Sequence, residues 1–475
     1  MKVFCYVFFA TLFSLWFGYR TINYLSDDAL TADAKQNAVT AHHLVAHGVW
    51  GYSDVDTTDP SPTMQREPVP ILAISTVLLL HPSFAPPYTI QDIVDGRLTK
   101  TIKIVNVFWR FVAALFIFLL CFELFSGPII ATVVALITVA ISDLTFLSMG
   151  PFVDRLYTEL PAAALLLATS WCAVRFAHDE TKSRAVALGI AMGLLALTKA
   201  AFFYIGIIFI VILFIPERLK LSRQKDHQSL RQLRVTYGIL IAALLGTLSP
   251  WVIRNSITNG TPGIVNRAED VLGLRMLLAE EDPLGMIYFS SPLPLKQHLG
   301  TALGYSSADL EDGGRLDGIR FAKQRRQKIY QARMQAEGYK GNVKSWLRRA
   351  VFSSILHDPL RYAASIGVFA YRGVWFMRPS GILRFAPIAF YGLSALSVLC
   401  FLGVFFWGVC ARNKTLIAAF GLGAGAFLFH AALTHGIPRY NAPLTPLVII
   451  SILWLCFALA GLFMRPRPDT KPVSS

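Results

Sequence analysis

Apolar residues in this chain come in unbroken blocks, without the strict alternation of a half-buried strand. Ten blocks predict helices that cross a bilayer: 3–19, 104–125, 128–148, 159–177, 184–198, 200–215, 235–253, 387–410, 414–433 and 443–464. The stretch 184–215 divides at Lys199, because about 32 residues exceed what one helix holds in ~30 Å of hydrocarbon. Two further apolar stretches, 69–81 and 351–377, read either as spans or as helices lying at the interface, giving a range of nine to thirteen. The predicted fold is an all-α polytopic membrane protein of about ten transmembrane helices with two large outward-facing loops. Its parts are a core over 1–253 that includes the first loop (20–103), a loop domain with interfacial helices over 254–386, and C-terminal helices over 387–475 ending in a short tail. Residues 3–19 resemble a signal peptide, but Tyr19-Arg20-Thr21 offers no small-residue cleavage site, so an uncleaved first span is expected.

Charge sets the orientation. The 216–234 connection carries Arg218, Lys220, Arg223, Lys225, Arg231 and Arg234 against Glu217 and Asp226, and Arg412, Lys414 and the 465–471 tail are also basic. Placed in the cytoplasm, these loops leave both termini inside and the two long loops outside, with an even number of spans. The whole chain has 475 residues, is 54% hydrophobic and only 15% charged, against about 25% in soluble proteins, which excludes a soluble enzyme and a disulfide scaffold. Its formal charge of +15 fits cytoplasmic loops and anionic lipid surfaces, and no nucleic-acid partner is expected. Cys5, Cys121, Cys172, Cys400, Cys410 and Cys456 all lie in apolar runs and read as small hydrophobes. Gly189/Gly193 and Gly421/Gly425 are small-residue pairs for close helix packing, and no Walker A motif occurs.

Ionisable groups outside the basic loops gather at the outward ends of spans, with few at mid-membrane. Ser26-Asp27-Asp28 precedes an amphipathic stretch, Ala29–His47; Ser26 reads as its cap, and either carboxylate can serve as a general base. His43 and His47 lie four apart on one helical face, a spacing that surface histidines often share with metal ligands. Around Arg66-Glu67-Pro68-Val69-Pro70, the prolines predict an extended loop that fixes Arg66 and Glu67; Arg66 suits a phosphate or a headgroup. In Gly150–Glu159, Asp154 and Arg155 precede Glu159 at the start of a span, and an Arg155–Glu159 pair one turn apart is the simple expectation. Lys199 lies between two spans, positioned to snorkel or to hold an anion. Pro250 is expected to end a span and release Arg254, and Arg439-Tyr440 follows His435 between the last two spans. Together, cations at one membrane face with a few carboxylates suit a phosphate-bearing lipid meeting an acceptor.

In this order the motifs resemble those of the GT-C superfamily of integral-membrane glycosyltransferases, in the branch of protein O-mannosyltransferases and lipid A aminoarabinose transferases. The matching elements are Asp27-Asp28 after the first span, Arg66-Glu67-Pro68, Glu159 at a middle span, Gly193–Lys199, Pro250–Asn255 and Arg439-Tyr440, between about residues 20 and 450. The resemblance implies a first outer loop packed over a lipid-facing cavity, a polyprenyl- or dolichyl-phosphate sugar donor and inversion at the anomeric carbon. It implies Asp27 or Asp28 as catalytic base, with Arg66, Lys199, Arg254 and Arg439 on the donor phosphate. Glu159, with Asp154, Glu67 and Tyr440, would orient an acceptor or a cation. No metal ligand set is identified, and a divalent cation is left open as cofactor. The family commonly has glutamate where Asp28 stands and lysine where Arg66 stands.

The expected function is therefore transfer of a hexosyl or pentosyl unit from a lipid-phosphate donor to a hydroxyl of a glycan, lipid or protein acceptor. The expected place is the outer face of a bacterial inner membrane, among membrane lipids. The alternatives are a flippase of lipid-linked glycans and a non-catalytic subunit of envelope assembly. A flippase is expected to carry paired mid-membrane charges or an inverted repeat, and neither is visible. The basic stretch 315–349, with Arg320, Lys323, Arg325, Arg326, Lys328, Arg348 and Arg349, reads as a solvated face near anionic headgroups or a docking surface for an anionic acceptor.

Overall fold

The computed structural model describes all residues except 1, 54–59, 82–87, 144–152, 225–226, 281, 312–313, 376–386, 435–437 and 462–475. Of the features singled out above, Gly150, Lys225, Asp226, His435, the 465–471 tail and the end of the 128–148 block lie outside the described residues.

The described chain is helical, and its only strand-like pairing is an isolated bridge between Gly51 and Pro62. The first half runs through α1 (Lys2–Arg20), α2 (Ala32–His47), α3 (Pro68–Leu80), α4 (Ile90–Asp95), α5 (Thr99–Ile102), α6 (Val105–Leu124), α7 (Pro128–Ser142), α8 (Glu159–His178), α9 (Lys182–Ala196), α10 (Ala201–Arg223) and α11 (His227–Asn259). The second runs through α12 (Ala268–Ala279), α13 (Pro283–Ser290), α14 (Leu293–Leu303), α15 (Asp317–Ala336), α16 (Val343–His357), α17 (Pro359–Val374), α18 (Pro387–Cys410), α19 (Lys414–Leu433) and α20 (Thr445–Leu459).

Each predicted span contains a helix, and the division at Lys199 is where α9 gives way to α10. Among the described residues, seven segments are long and apolar enough to cross a membrane: Val3–Tyr24, Thr99–Leu124, Glu159–His178, His227–Asn259, Tyr391–Cys410, Lys414–Leu433 and Pro438–Leu459. Pro128–Ser142 and the apolar part of α10, Ala201–Ile215, are shorter, as is α3. The 351–377 stretch breaks at Asp358, whose side chain accepts the Arg361 N–H at 2.9 Å and starts a new helix.

The chain divides into two compact units. The first comprises Met1–Ile264, Ser397–Ala424 and Pro443–Ser475; the second comprises Val265–Leu396 and Gly425–Ala442. In the first unit α8 is among the most enclosed helices, because Pro161, Ala162, Ala163 and Ala164 let neighbours approach its axis. The Gly189/Gly193 pair does what its spacing predicts. A Cβ at Gly189 would lie 2.4 Å from the Leu240 carbonyl, and one at Gly193 would lie 2.6 Å from Thr247, so α9 and α11 touch along these glycines. The second unit has its own core: Leu274, Leu278, Met286 and Tyr288 pack with Leu316 and Phe369, while Leu277, Tyr330, Trp346 and Leu347 form a neighbouring cluster. All six cysteines are free.

Three local expectations are corrected. The second helix begins at Ala32, not Ala29, and its N-cap is Thr31, so Ser26 does not cap it. Pro68 and Pro70 do not prolong an extended loop. Glu67 is extended (φ −72°, ψ 142°), and Pro68 opens α3 at a position that needs no N–H. Pro250 does not end its span, since α11 continues to Asn259. The carbonyl of Gly246, which a prolyl nitrogen cannot bond, accepts the Ser249 hydroxyl at 3.0 Å instead.

Candidate active site

After α1 a short turn of 3₁₀ helix, Thr21–Tyr24, leads into extended residues, and Leu25 turns inward. The segment from Gly96 to Lys103 cradles the backbone that follows. Gly96 has φ +87°, and a Cβ there would come within 2.8 Å of the Asp27 carbonyl and the Ala29 nitrogen. The Thr99 hydroxyl donates to the Asp28 carbonyl at 2.9 Å, and the Lys100 N–H donates to Asp27 Oδ1 at 2.8 Å. Lys103 Nζ donates to the Ser26 carbonyl at 2.7 Å. Two non-glycine residues with left-handed backbone, Ala32 (φ 49°) and Leu98 (φ 58°), flank this crossing, a kind of strain that gathers at functional sites.

Asp154 completes the arrangement from 128 residues downstream. It accepts the Ser26 N–H at 2.7 Å and Lys103 Nζ at 3.0 Å. The Ser26 hydroxyl reaches Asp28 Oδ2 at 2.5 Å and also Asp154 Oδ2. One hydroxyl has one proton, so it bonds one carboxylate at a time, and the two share it. Lys103 is 1% exposed, and Asp154 is its carboxylate partner. Asp27 and Asp28 face solvent, Asp27 with one oxygen held by a backbone amide. Nearby, the Thr89 N–H holds the Asp92 carboxyl below its ordinary range. Burial, followed by the negative charges of Asp92 and Asp27, pushes the Tyr88 phenol up, with Arg97 acting the other way.

A second pole lies at Glu159. Arg155 does not pair with it, since the Arg155 guanidinium donates to Thr31 Oγ1 at 3.2 Å. Glu159, 1% exposed, pairs instead with Lys199 at 3.6 Å. Arg66, 4% exposed, bonds Asp33 and Gln36 of α2. The Val69 N–H, just after Glu67-Pro68, donates to the Leu197 carbonyl at 3.2 Å.

Followed in order, these links close on themselves. Asp28, Ser26 and Asp154 lead along the chain to Leu156, whose carbonyl takes Asn37 Nδ2 at 2.7 Å. From Asn37, α2 leads to Asp33 and Gln36, these to Arg66, and Val69 to Leu197. Lys199 then returns to Glu159, three residues from Leu156. Arg66, Lys199 and Glu159 therefore sit on one ring of hydrogen bonds and short chain segments within the first unit, and Asp154 with Asp28 branches from it at Leu156. A carboxylate that can take a proton and two cations that can meet an anion form its chemical content.

Arg254 stands outside that ring. Its guanidinium donates to the Thr63 carbonyl at 2.8 Å, the Trp50 carbonyl at 3.1 Å and Asn255 Oδ1 at 2.9 Å, and it lies over the Trp251 ring. Trp251 also meets Trp50 edge-on, so the Pro250–Asn255 element clamps the first long loop. Arg254→Gln is expected to cost about 1.5–3 kcal/mol, the worth of hydrogen bonds to a charged group, and to speed proteolysis of that loop. Thermal unfolding and limited proteolysis in detergent check this; an unchanged melting temperature would remove the clamp role. Arg439 and Tyr440 belong to the second unit, where the Tyr440 ring lies 5.3 Å from His430. Among the described residues, no group of three or more His, Cys, Asp or Glu side chains converges as a metal site, and the His43 and His47 rings lie 5.7 Å apart.

Sequence reasoning does not single out Lys103, Asp33 or Tyr88. Lys103 carries a signal, being a lysine at the mouth of a span, but Asp33 and Tyr88 acquire meaning only through tertiary contacts. Arg110, buried in the Thr99–Leu124 span against Asp143 and the Phe17 ring, is a further ionisable group deep in the helices.

No protein-family model matches the chain, and no curated protein matches its sequence. Solved structures do. A structure of the Archaeoglobus fulgidus oligosaccharyltransferase tethered with an acceptor peptide shares 14% identity over 96% of this chain and 50% of its own, with a TM-score of 0.51. Archaeoglobus fulgidus AglB in complex with an inhibitory peptide and a dolichol-phosphate shares 12% over 96% and 50%, with a TM-score of 0.49. ArnT from Cupriavidus metallidurans, bound to undecaprenyl phosphate, shares 12% over 97% and 78%, with a TM-score of 0.37. The chain spans about half the length of the first two. The likeness to the first of these is one of fold, and this chain is an integral membrane protein.

Proposed function

We propose that this protein transfers a sugar from a polyprenyl-phosphate donor to an acceptor hydroxyl, with inversion, at the outer face of the membrane. The observation that carries the reading is the ring of Arg66, Lys199 and Glu159, from which Asp154 and Asp28 branch at Leu156. Asp28 takes the proton of the acceptor hydroxyl. The acceptor oxygen then attacks the anomeric carbon from the side opposite the phosphate, and the carbon–oxygen bond to the phosphate breaks with its electron pair leaving on the phosphate. Ser26, Asp154 and Lys103 hold Asp28 in place. Lys199 and Arg66 meet the developing charge of the polyprenyl phosphate, where fixed cations are most effective. Glu159 positions Lys199, Asp33 positions Arg66, and Arg254 holds the loop above them. Glu67 and Tyr440 are proposed to orient the acceptor or a cation, and Arg439 to hold the donor phosphate. The Lys103 ammonium supplies the positive charge beside Asp154, so the reaction as proposed needs no divalent cation.

The orientation that follows has both termini in the cytoplasm and the ring outside, in a bacterial inner membrane, where the lipid carries a sugar that a nucleotide cannot deliver. The acceptor is a hydroxyl of a glycan, lipid or protein. The test is release of polyprenyl phosphate from a panel of radiolabelled polyprenyl-phosphate sugars by the purified full chain, with and without EDTA. Time-dependent release that survives chelation supports both parts. Consumption of no donor, by protein that still binds the lipids, overturns the enzyme in favour of a carrier or accessory subunit. Loss of release with EDTA overturns metal independence alone.

A further inference from the structure

We infer that the α16–α17 elbow of the second unit is an anchor that docks on an anionic bilayer surface. This inference rests on the membrane fold and is independent of the proposed activity. Phe352, Leu356 and Leu360 recur every four residues along the elbow and are 63%, 80% and 82% exposed. The opposite face of α16 is closed: Trp346, Leu347 and Val351 are buried in the core of the unit. Exposed apolar rows of this kind, rimmed by basic residues, mark surfaces with a partner.

The level of the elbow is set by its hydrogen bonds. Tyr362 Oη, two residues beyond Leu360, donates to the Ala432 carbonyl at 2.5 Å, and Arg275 Nη1 donates to the Thr434 carbonyl at 3.1 Å. Ala432 is in the last turn of the membrane span Lys414–Leu433. The start of α17 is thus level with the end of a span, at the depth where tyrosine is enriched and where Leu360 meets acyl chains.

Charge selects the occupant. Arg349 lies over the Tyr339 ring, and Arg361 donates to the Glu280 carbonyl at 2.7 Å, both neutral partners beside the apolar row. Arg348 adds a third exposed guanidinium, paired with Glu269 at 2.7 Å. A second copy of this chain, at +15, is repelled by such a face, whereas lipid phosphates complement it.

The experiment places the photoreactive residue p-benzoylphenylalanine at Phe352, Leu356, Leu360 and, as control, at exposed Gln335 on α15. The full chain is reconstituted in nanodiscs of phosphatidylcholine with or without phosphatidylglycerol, irradiated, and analysed by mass spectrometry. Lipid adducts at the three elbow positions and not at Gln335 are expected. Phosphatidylglycerol should raise their yield by up to about thirtyfold, the effect of two basic residues at an anionic surface, and Arg349→Gln with Arg361→Gln should remove the increase. Yields no higher than at Gln335, adducts to protein instead of lipid, or a yield indifferent to phosphatidylglycerol overturn the proposal.

Discussion

Replacing Asp28 by asparagine is expected to lower kcat for sugar transfer by about 10²–10⁴-fold while leaving donor KM close to that of the wild type, because general-base help is lost and the donor contacts are not. The change is nearly isosteric, and the amide oxygen it introduces can still accept the Ser26 hydroxyl that Asp28 now accepts at 2.5 Å. Folding should therefore survive, and size-exclusion behaviour in detergent checks that it does. Asp27→Asn is the informative companion. Asp27 Oδ1 accepts the Lys100 N–H at 2.8 Å, which makes it part of the cradle, and its loss is expected to cost far less in rate. Full activity of the Asp28 variant would move the base to another residue; equal losses in both variants would make the pair, not Asp28, the proton acceptor.

The second large effect is on stability. Asp154→Ala removes the carboxylate that Lys103, at 1% exposure, meets at 3.0 Å, together with the acceptor for the Ser26 N–H. Breaking a buried pair by removing one partner typically costs 3–5 kcal/mol, since the remaining charge is left desolvated, and about that loss is expected here. Lys103→Met in the same chain should recover much of it by removing the stranded ammonium. A double-mutant cycle on thermal unfolding in detergent measures the coupling. Additive losses would mean that Lys103 and Asp154 act independently, which the geometry denies.

How far this protein can be read from its sequence depends on the range of the interaction. Membrane spans are written in local composition, so even the break at Lys199 is legible: an apolar run too long for one bilayer must be interrupted, and lysine is the costliest residue in it. The residues of the ring are likewise legible as types, because carboxylates and cations at span ends are expensive and few. Their pairing is not. Glu159 has Arg155 one turn away in sequence, yet its partner is Lys199, because Arg155 is drawn off by Thr31. Arg254 reads as a phosphate ligand, but its donors are spent on loop carbonyls that no local pattern connects to it. Pro250 misleads for a related reason. Proline removes one N–H, and whether the helix ends depends on what takes up the freed carbonyl, here a serine hydroxyl one residue earlier.

The reach of the Ser26–Asp154 contact has a consequence for how the protein is made. The two residues are separated by 128 positions, so at a synthesis rate of about 5–20 residues per second Asp154 follows Ser26 by roughly ten seconds. During that interval Asp27 and Asp28 are already in place while Asp154 and Lys199 do not yet exist. The nascent chain therefore carries the first loop as an acidic segment before Asp154 can meet Ser26 and Lys103, and the ring can close only after α8 and α9 have been inserted. A ribosome-stalled chain ending before Asp154 should leave that loop open to protease, and one long enough to have inserted both Lys199 and Arg254 should close it.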